Sequence, residues 1–455
     1  MAKRKTAAVI LAAGMGTRMK SALPKVLHPI AGQPMIRYLL NTVESVGFDR
    51  VVVVVGPEME AVAAAVQPHA FVVQSDRLGT GHAVAQAGPA LADFDGDVAV
   101  LYGDSPLITS HTLQRMGNAL QREPGPAVVV LGFQPRDPAE YGRLMVPLAE
   151  KSVAEESGGQ LDAIVEFREA TPEQRSVTLC NSGVMMADRA RLFAWLSRVD
   201  NANAKGEYYL TDVVGLARGD GLSCAYVVAP ETECFGVNSR QELAQAEAMV
   251  QERLRNAAMD SGVTLIDPGT VTFCQDTRLG RDVVVYPHVV FGPGVTVADG
   301  VVIKSFCHFE DAAIRRGATI GPYARLRPGA EIGEGAHIGN FVEIKKATVE
   351  AGAKVSHLSY IGDGRIGAGA NIGAGTIFCN YDGFTKGFTD IGPGAFIGSN
   401  SALVAPVSVG AGAIVGAGSV ITKNVSADAL AVARGKQMEV TGWAATFRAS
   451  KGEKK

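Results

Sequence analysis

A chain of 455 residues exceeds what one hydrophobic core ordinarily organises, so two or three domains are expected. Hydrophobic residues at 47% and charged residues at 20% give the balance of a soluble globular protein, and a formal net charge of -3 offers no electrostatic case for nucleic acid or an anionic membrane surface. The six cysteines (Cys180, Cys224, Cys234, Cys274, Cys307 and Cys379) include no Cys-x-x-Cys pair. That argues against a disulfide framework and a zinc site, and for a reducing, cytoplasmic setting. The opening apolar run reaches a glycine too soon for a signal peptide, and no apolar run is long enough to span a bilayer.

Along the first half, short β-rich runs alternate with helical stretches. Residues 7–11, 51–55, 70–73 and 98–102 read as buried strands, each followed by loop signals and a helix-like segment. The alternation predicts a parallel sheet wrapped by helices, with ligands at the carboxyl ends of the strands. Directly after the first strand stands Leu11-Ala12-Ala-Gly14-Met-Gly16-Thr17-Arg18-Met19, followed by Pro24-Lys25. Glycines at a strand-to-helix turn let backbone N–H groups approach a phosphate, and a following helix N-terminus favours negative charge. This is not a dinucleotide fingerprint, since Met19 stands where a third glycine belongs, nor a P-loop, since no Gly-Lys-Ser/Thr follows. Arg18 and Lys25 add two cations suited to holding a triphosphate and stabilising a transferring phosphoryl group. Asp104, just past the strand 98–102, would offer Mg²⁺ a hard oxygen at the ligand edge, although a turn or cap residue would read the same way.

Ser239-Arg-Gln-Glu242 has the form of a capping box opening a helix with Leu243, Ala246, Met249, Val250 and Leu254 at helical spacing and an end near Gly262. Beyond it, from Val285 to Ile421, an apolar residue recurs at nearly every sixth position, as in Ile314, Ile320, Leu326, Ile332, Ile338 and Ile344. Many are followed by Gly-x-Gly, as in Ile372-Gly-Ala-Gly, and a period of six is neither helical nor strand alternation. The repeat that fits is the hexapeptide β-helix, three hexads per triangular coil with the recurring residue pointing into the axis. Between Phe378 and Ile391 the ladder is interrupted by a segment expected to leave the coil. His357 is two residues past the axial Val355, so it need not point inward, and Asn371 lies near one coil's spacing from it. A neutral imidazole can take a proton from an amine, but a lone histidine on such a repeat is more often structural. Arg327 and Lys345 offer cations for a phosphate or form a solvated face. The tail, with Lys451, Lys454 and Lys455, reads as a flexible end.

Further pieces follow the glycine loop in order: Gln74 with Leu78-Gly79-Thr80-Gly81-His82, Leu101-Tyr102-Gly103-Asp104, Tyr141-Gly142-Arg143, Ile164-Val165-Glu166, Asn181-Ser182-Gly183, Glu207 through Asp212, and Gly236-Val237-Asn238. With the ladder, they resemble over nearly the whole chain the bacterial bifunctional N-acetylglucosamine-1-phosphate uridyltransferase and glucosamine-1-phosphate acetyltransferase family. The resemblance implies an α/β nucleotidyltransferase domain of Rossmann-like, mostly parallel type over 1–238, a connecting helix over 239–262, a left-handed parallel β-helix over 263–430 and a tail over 431–455.

It further implies acetylation of glucosamine 1-phosphate from acetyl-CoA, then transfer of UMP from UTP to N-acetylglucosamine 1-phosphate with release of pyrophosphate. In that scheme Leu11, Ala12, Gly14, Gly16, Lys25, Gln74, Gly79, Thr80, Tyr102, Gly103 and Asp104 bind the nucleotide, and Arg18 and Lys25 act on its phosphates. Gly142, Glu166, Asn181, Thr211 and Asn238 hold the sugar phosphate, and Asp104 with Asn238 holds Mg²⁺. In the second domain His357 is the base, and Arg327, Lys345, Tyr360, Asn371 and Lys386 bind the sugar phosphate. Ala374, Asn380, Tyr381, Ser399, Ala417 and Arg434 contact acetyl-CoA, in a homotrimer whose interrupting loop completes a site shared between subunits. The segment from Glu150 to Gln160 is longer than the family usually has. Two other readings make the ladder an assembly or regulatory platform under a lone pyrophosphorylase, or make the chain a sugar-nucleotide sensor. The set His357, Tyr360 and Lys386 argues against a mere scaffold.

Overall fold

Strand Thr6–Ala12 sends alternate residues to opposite sides of a sheet: Ala7 and Val9 enter one buried cluster, Ala8, Ile10 and Ala12 the other. Val52 and Val54 against Val51, Val53 and Val55 divide the same way, as do Val98 and Val100 against Ala99 and Leu101. Such continuous apolar runs suit strands covered on both faces. The computed structural model describes residues 4–147 and 158–452, and it forms two compact units, Met1–Gln251 and Glu252–Lys455.

In the first unit the sheet order is Ala70–Val73, Arg50–Val55, Thr6–Ala12, Asp97–Tyr102, Cys180–Asp188, Val128–Phe133, Cys224–Ala229 and Gly159–Leu161. The first four are mutually parallel; Cys180–Asp188 runs antiparallel to both its neighbours. Helix Met35–Val46 buries Met35, Ile36, Leu39, Leu40 and Val43, a stripe at helical spacing, and stops at Gly47, whose φ of 80° only glycine adopts freely. The expectation that residues 70–73 are buried is corrected: Phe71 and Val73 are more than two-fifths exposed, because this strand is the sheet's edge and pairs on one side only. Residues 148–157, which carry most of the long Glu150–Gln160 segment, lie outside the described residues.

Helix Arg240–Asp260 begins with half of the expected capping box: Ser239 Oγ accepts from the Glu242 N–H at 3.2 Å. The return bond differs. Glu242 Oε2 accepts from the N–H of Asn238 at 2.7 Å, which ties the residue before the cap and not the cap itself. Gly262, with φ 98°, follows the helix end.

The second unit is a parallel β-helix. Residue 284 pairs with 302 and 302 with 319, coil steps of 18 and 17 residues. The apolar ladder is its axis: Val285, Phe291, Ile303, Phe309, Ile320, Ile344, Val355, Ile361, Ile391 and Val415 are each at most 1% exposed and share one cluster. A second inner column, two residues before each axial one, was not legible in the period of six. It is filled by small or compact residues such as Ala318, Ala324, Ala336, Ala353, Ala370 and Ala413. Ser401 and Ser419 take the same place by donating to the backbone oxygens of Gly398 and Gly416, each at 2.6 Å. The interruption is where expected. Asn371 pairs with Phe396, a step of 25, and a segment joined by a Tyr381–Lys386 bridge leaves the coil between Ile377–Cys379 and Thr389–Ile391.

The tail is corrected in part. Residues Trp443–Lys451 form an exposed α-helix, with Trp443 and Phe447 stacked at 5.0 Å, as its Ala-Ala and Arg content favours. Lys454 and Lys455 lie outside the described residues.

Truncating an axial residue removes a buried side chain from a column that cannot collapse without breaking register. Ile361→Ala is expected to cost about 2–5 kcal/mol. Urea denaturation should show the loss, while Glu331→Ala on the exposed side of a strand should leave the midpoint nearly unchanged.

Candidate active sites

In the first unit, the carboxyl ends of the parallel strands line a cleft of about 260 Å³. Leu11, Ala12, Gly14, Lys25, Gln74, Gly79, Thr80, Tyr102 and Asp104 all border it, with Arg77 and Glu207 in addition. Arg18, Gly16 and Gly103 are not among its lining residues, and Arg18 is exposed. The helix expected after the glycine loop is corrected. Thr17–Met19 and Lys25–Leu27 are single 3₁₀ turns, and the first α-helix starts at Met35. An anion at this loop would therefore meet backbone N–H groups and side-chain cations, without a helix terminus.

Lys25 is the centre of the site. Its Nζ donates to Asp104 Oδ2 at 2.5 Å and to Asn238 Oδ1 at 2.9 Å, joining groups 79 and 213 residues away in sequence. Two hard oxygens thus converge on a point already held by positive charge, the donor set a Mg²⁺ ion accepts when phosphates and water complete its shell. Among the described residues no cluster of three or more His, Cys, Asp or Glu is placed to hold a metal. Gln74, nearly buried, donates from Nε2 to the carbonyl of Gly79 at 3.2 Å and sits 3.1 Å from His82 Nδ1. Gly79 has φ 110°, and a Cβ there would lie 2.6 Å from the carbonyl oxygen of Tyr208. Thr80 Oγ1 accepts from the Leu210 N–H at 3.1 Å, which fastens this loop to the segment carrying Thr211.

Gly142, Glu166, Asn181 and Thr211 come together as a second group. Thr211 Oγ1 donates to Glu166 Oε1 at 3.1 Å, the Asn181 N–H donates to the Gly142 carbonyl at 2.8 Å, and a Cβ on Gly142 would sit 3.6 Å from both Asn181 and Glu166. Asp212 was not singled out from sequence. Desolvation, then the like charges of Glu169, Asp200 and Glu166, holds its carboxyl up to about 6.

In the second unit, register places side chains in vertical columns. Asn340 pairs with His357, and the pairings Lys354–Asn371, Asn371–Phe396 and Phe396–Ile414 put Ala374, Ser399 and Ala417 at the equivalent corner of successive coils. Corner bonds run along this column: Leu358 N–H to Asn340 O at 2.9 Å, Asn400 N–H to Ala374 O at 2.7 Å and Gly418 N–H to Ser399 O at 2.8 Å. At its far end Arg434 Nη1 donates to the Ala417 carbonyl at 2.7 Å. The residue after each corner has a left-handed φ. On the earlier coils it is aromatic: His288, Phe306, Tyr323 and Phe341 stack at 4.9, 4.9 and 5.0 Å. After Leu358 the position passes to Gly375, Asn400 and Gly418, so a ridge of rings gives way to a low floor at His357.

One expectation is corrected. Asn371 pairs with Lys354 and not with His357, because the coil step here is 17 and His357 is three residues further along; the partner of His357 is Asn340. His357 Nδ1 lies 2.6 Å from Asn340 Oδ1.

The cations form another group. Arg327 and Lys345 occupy equivalent places on adjacent coils, since Leu326 pairs with Ile344, and Lys345 in turn pairs with Gly362. Lys386, on the loop that leaves the coil, stands beside Lys345 of its own chain. Its ammonium, then the charge of Arg327, lowers the Lys345 pKa. Arg327 is already tied to Glu343 at 2.8 Å, an acid not foreseen, which raises its pKa. The bare Gly362 leaves room for the Tyr360 hydroxyl and the Asn380 amide, and Asn380 donates to Asp363 at 2.5 Å. Tyr381 is exposed, its hydroxyl donating to Gly383 O at 2.5 Å.

Residues 8–171 match the MobA-like NTP transferase domain, and residues 311–346 and 388–423 match the bacterial transferase hexapeptide (six repeats). Fold and site thus define a nucleotidyltransferase continued by a hexapeptide acyltransferase. The chain is 64% identical over its whole length to "Bifunctional protein GlmU" of Paramagnetospirillum magneticum, covering 99% of that protein. It is 63% identical over 98% of both chains to the protein of the same name from Rhodospirillum rubrum, and 56% identical over the full length of both to that of Azorhizobium caulinodans. The chain belongs to the GlmU family, and it is a bifunctional enzyme with uridylyltransferase and acetyltransferase activities.

The conformation of Gly79 yields a test. Gly79→Ala forces a side chain into a left-handed region and against the Tyr208 backbone, a strain of about 1–3 kcal/mol. The variant should melt earlier and bind UTP more weakly. Gly14→Ala, with nothing within 4 Å of the new Cβ, should leave the folding free energy within about 0.5 kcal/mol of the parent.

Proposed function

We propose that the second unit acetylates glucosamine 1-phosphate from acetyl-CoA and that the first converts N-acetylglucosamine 1-phosphate and UTP to UDP-N-acetylglucosamine and pyrophosphate. The observation that carries this reading is the corner column, a histidine followed by Ala374, Ser399 and Ala417 and ended by Arg434. A narrow pantetheine arm fits a floor of small residues, and Arg434 at its end suits the charged part of a coenzyme. An imidazole at the head of that groove is where a thioester and an incoming amine would meet. Lys345 and Lys386, two ammonium groups side by side with Arg327 near, are relieved by an anion between them, so the sugar phosphate is assigned there with Tyr360 and Asn371.

In the first unit the attacking phosphate oxygen is already anionic, so positioning and charge neutralisation suffice and no side-chain base is required. Asp104 and Asn238 would hold Mg²⁺, which when bound neutralises charge on the nucleotide phosphates. Lys25 and Arg18 hold the triphosphate; Gln74 and Gly79 read the base; Gly142, Glu166, Asn181 and Thr211 grip the sugar. We assign uridylyl transfer to residues 1–238 and acetyl transfer to 263–430, joined by the helix. The working form is a homotrimer in the cytoplasm, where UTP and acetyl-CoA are supplied. In it the His357 column of one chain faces the Lys345–Lys386 cations of the next.

Asp104→Asn should weaken metal-dependent uridylyl transfer and leave acetyl transfer intact; unchanged metal dependence would remove Asp104 from the site. His357→Ala should lower acetyl transfer by about 10²–10⁴ with uridylyl transfer near normal. Co-expressed His357→Ala and Lys386→Ala chains should regain part of the acetyl transfer, because some mixed trimers hold one site with both residues. No recovery in verified mixed trimers would rule out the shared site.

A further inference from the structure

The hydrogen bond to His357 carries more than its placement. A neutral imidazole accepts a proton only at the ring nitrogen that bears no hydrogen, and which one that is depends on the bond made by the other. His357 Nδ1 lies 2.6 Å from Asn340 Oδ1. An amide oxygen accepts and cannot donate, so the nitrogen facing it carries the hydrogen.

The backbone fixes the pair as firmly as the side chains do. Asn340 and His357 occupy the same corner of adjacent coils, paired in register, and Leu358 N–H donates to the Asn340 carbonyl at 2.9 Å. Each is followed by a residue of left-handed φ, Phe341 at 56° and Leu358 at 51°, so both strands end in the same turn. On the other side of His357 the column continues with Ala374, which has no polar side chain to compete for the ring. The titratable neighbour is His337, on the Asn340 strand; its pKa is lowered by burial, then by the charges of Lys304, His357 and Lys354.

We propose that Asn340 is a positioning residue for acetyl transfer, holding the His357 imidazole as its Nδ1–H form and leaving the Nε2 lone pair to receive the proton of the attacking amine. The inference rests on His357 being the base. The amine nitrogen forms its bond to the thioester carbonyl carbon while its proton passes to Nε2. The adduct then collapses, the carbon–sulfur bond breaks, and the departing thiolate takes the proton from the imidazolium. Without Asn340 the ring is free to turn or to carry its hydrogen on Nε2, where it accepts nothing.

The test uses the full-length enzyme. Asn340→Ala should lower kcat for acetyl transfer roughly 10- to 100-fold, part of what a general base supplies, with KM for both substrates within about twofold and uridylyl transfer unchanged. Asn340→Asp keeps an acceptor for Nδ1–H, so it should restore most of kcat; its charge favours imidazolium and should move the acidic limb of the kcat–pH profile upward. An unchanged kcat in Asn340→Ala, or an aspartate variant as poor as alanine with an unmoved pH limb, overturns the proposal. Nitrogen-15 shifts of histidine in the unsubstituted enzyme, with the His357 signal assigned by its loss in His357→Ala, read the tautomer even if a variant misfolds: hydrogen on Nε2 also overturns it. Full acetyl transfer in His357→Ala would instead sink the base assignment beneath it.

Discussion

The second unit depends on one constraint: each coil must lay an apolar side chain directly over that of the coil before. Burial of about 25 cal/mol per Å² of apolar surface drives the stack, and every axial contact is also a register contact. A slip by one residue would turn Ile338, Val355 and Ile372 outward together, so the column is fixed by the same burial that stabilises it. The corner that carries His357 inherits that register. His357 meets Asn340 and Ala374 because Val355 sits between Ile338 and Ile372.

The first unit solves a different problem, bringing opposite charges to one point from distant parts of the chain. Lys25 arrives from the loop after the first strand, Asp104 from the end of Asp97–Tyr102 and Asn238 from the threshold of the long helix. The helix itself helps, since Glu242 in its first turn reaches back to the Asn238 N–H. The ammonium keeps the two oxygens together where they would otherwise repel or drift.

What the sequence revealed and what it concealed follow from the range of each interaction. The axial ladder was legible because its period is printed directly along the chain. The small inner residues two places earlier were not, because alanine and serine carry little hydrophobic signal. Asn340 escaped notice for a geometric reason: the coil steps leading to His357 are 17, 18 and 17, so which residue lies under it depends on counting that only the fold performs. Lys25 and Asp104 were readable from their own chemistry and Asn238 through resemblance, whereas their convergence on one ammonium spans 213 residues. The glycine loop invited a helix after it, but Gly16 and Lys20, both left-handed, break the backbone into single turns.

Stacked coils also make a ruler. Adjacent strands lie about 4.8 Å apart, so the three steps from His357 to Ala417 span about 14 Å, graduated in units no side chain can alter. The distance from the histidine to Arg434 is thus set by how many coils intervene. The excursion from residues 380 to 388 adds length to the chain without adding a division, because residue 396 still comes to rest over 371. Gain or loss of one whole coil, by contrast, would change the spacing from His357 to Arg434 by a full graduation.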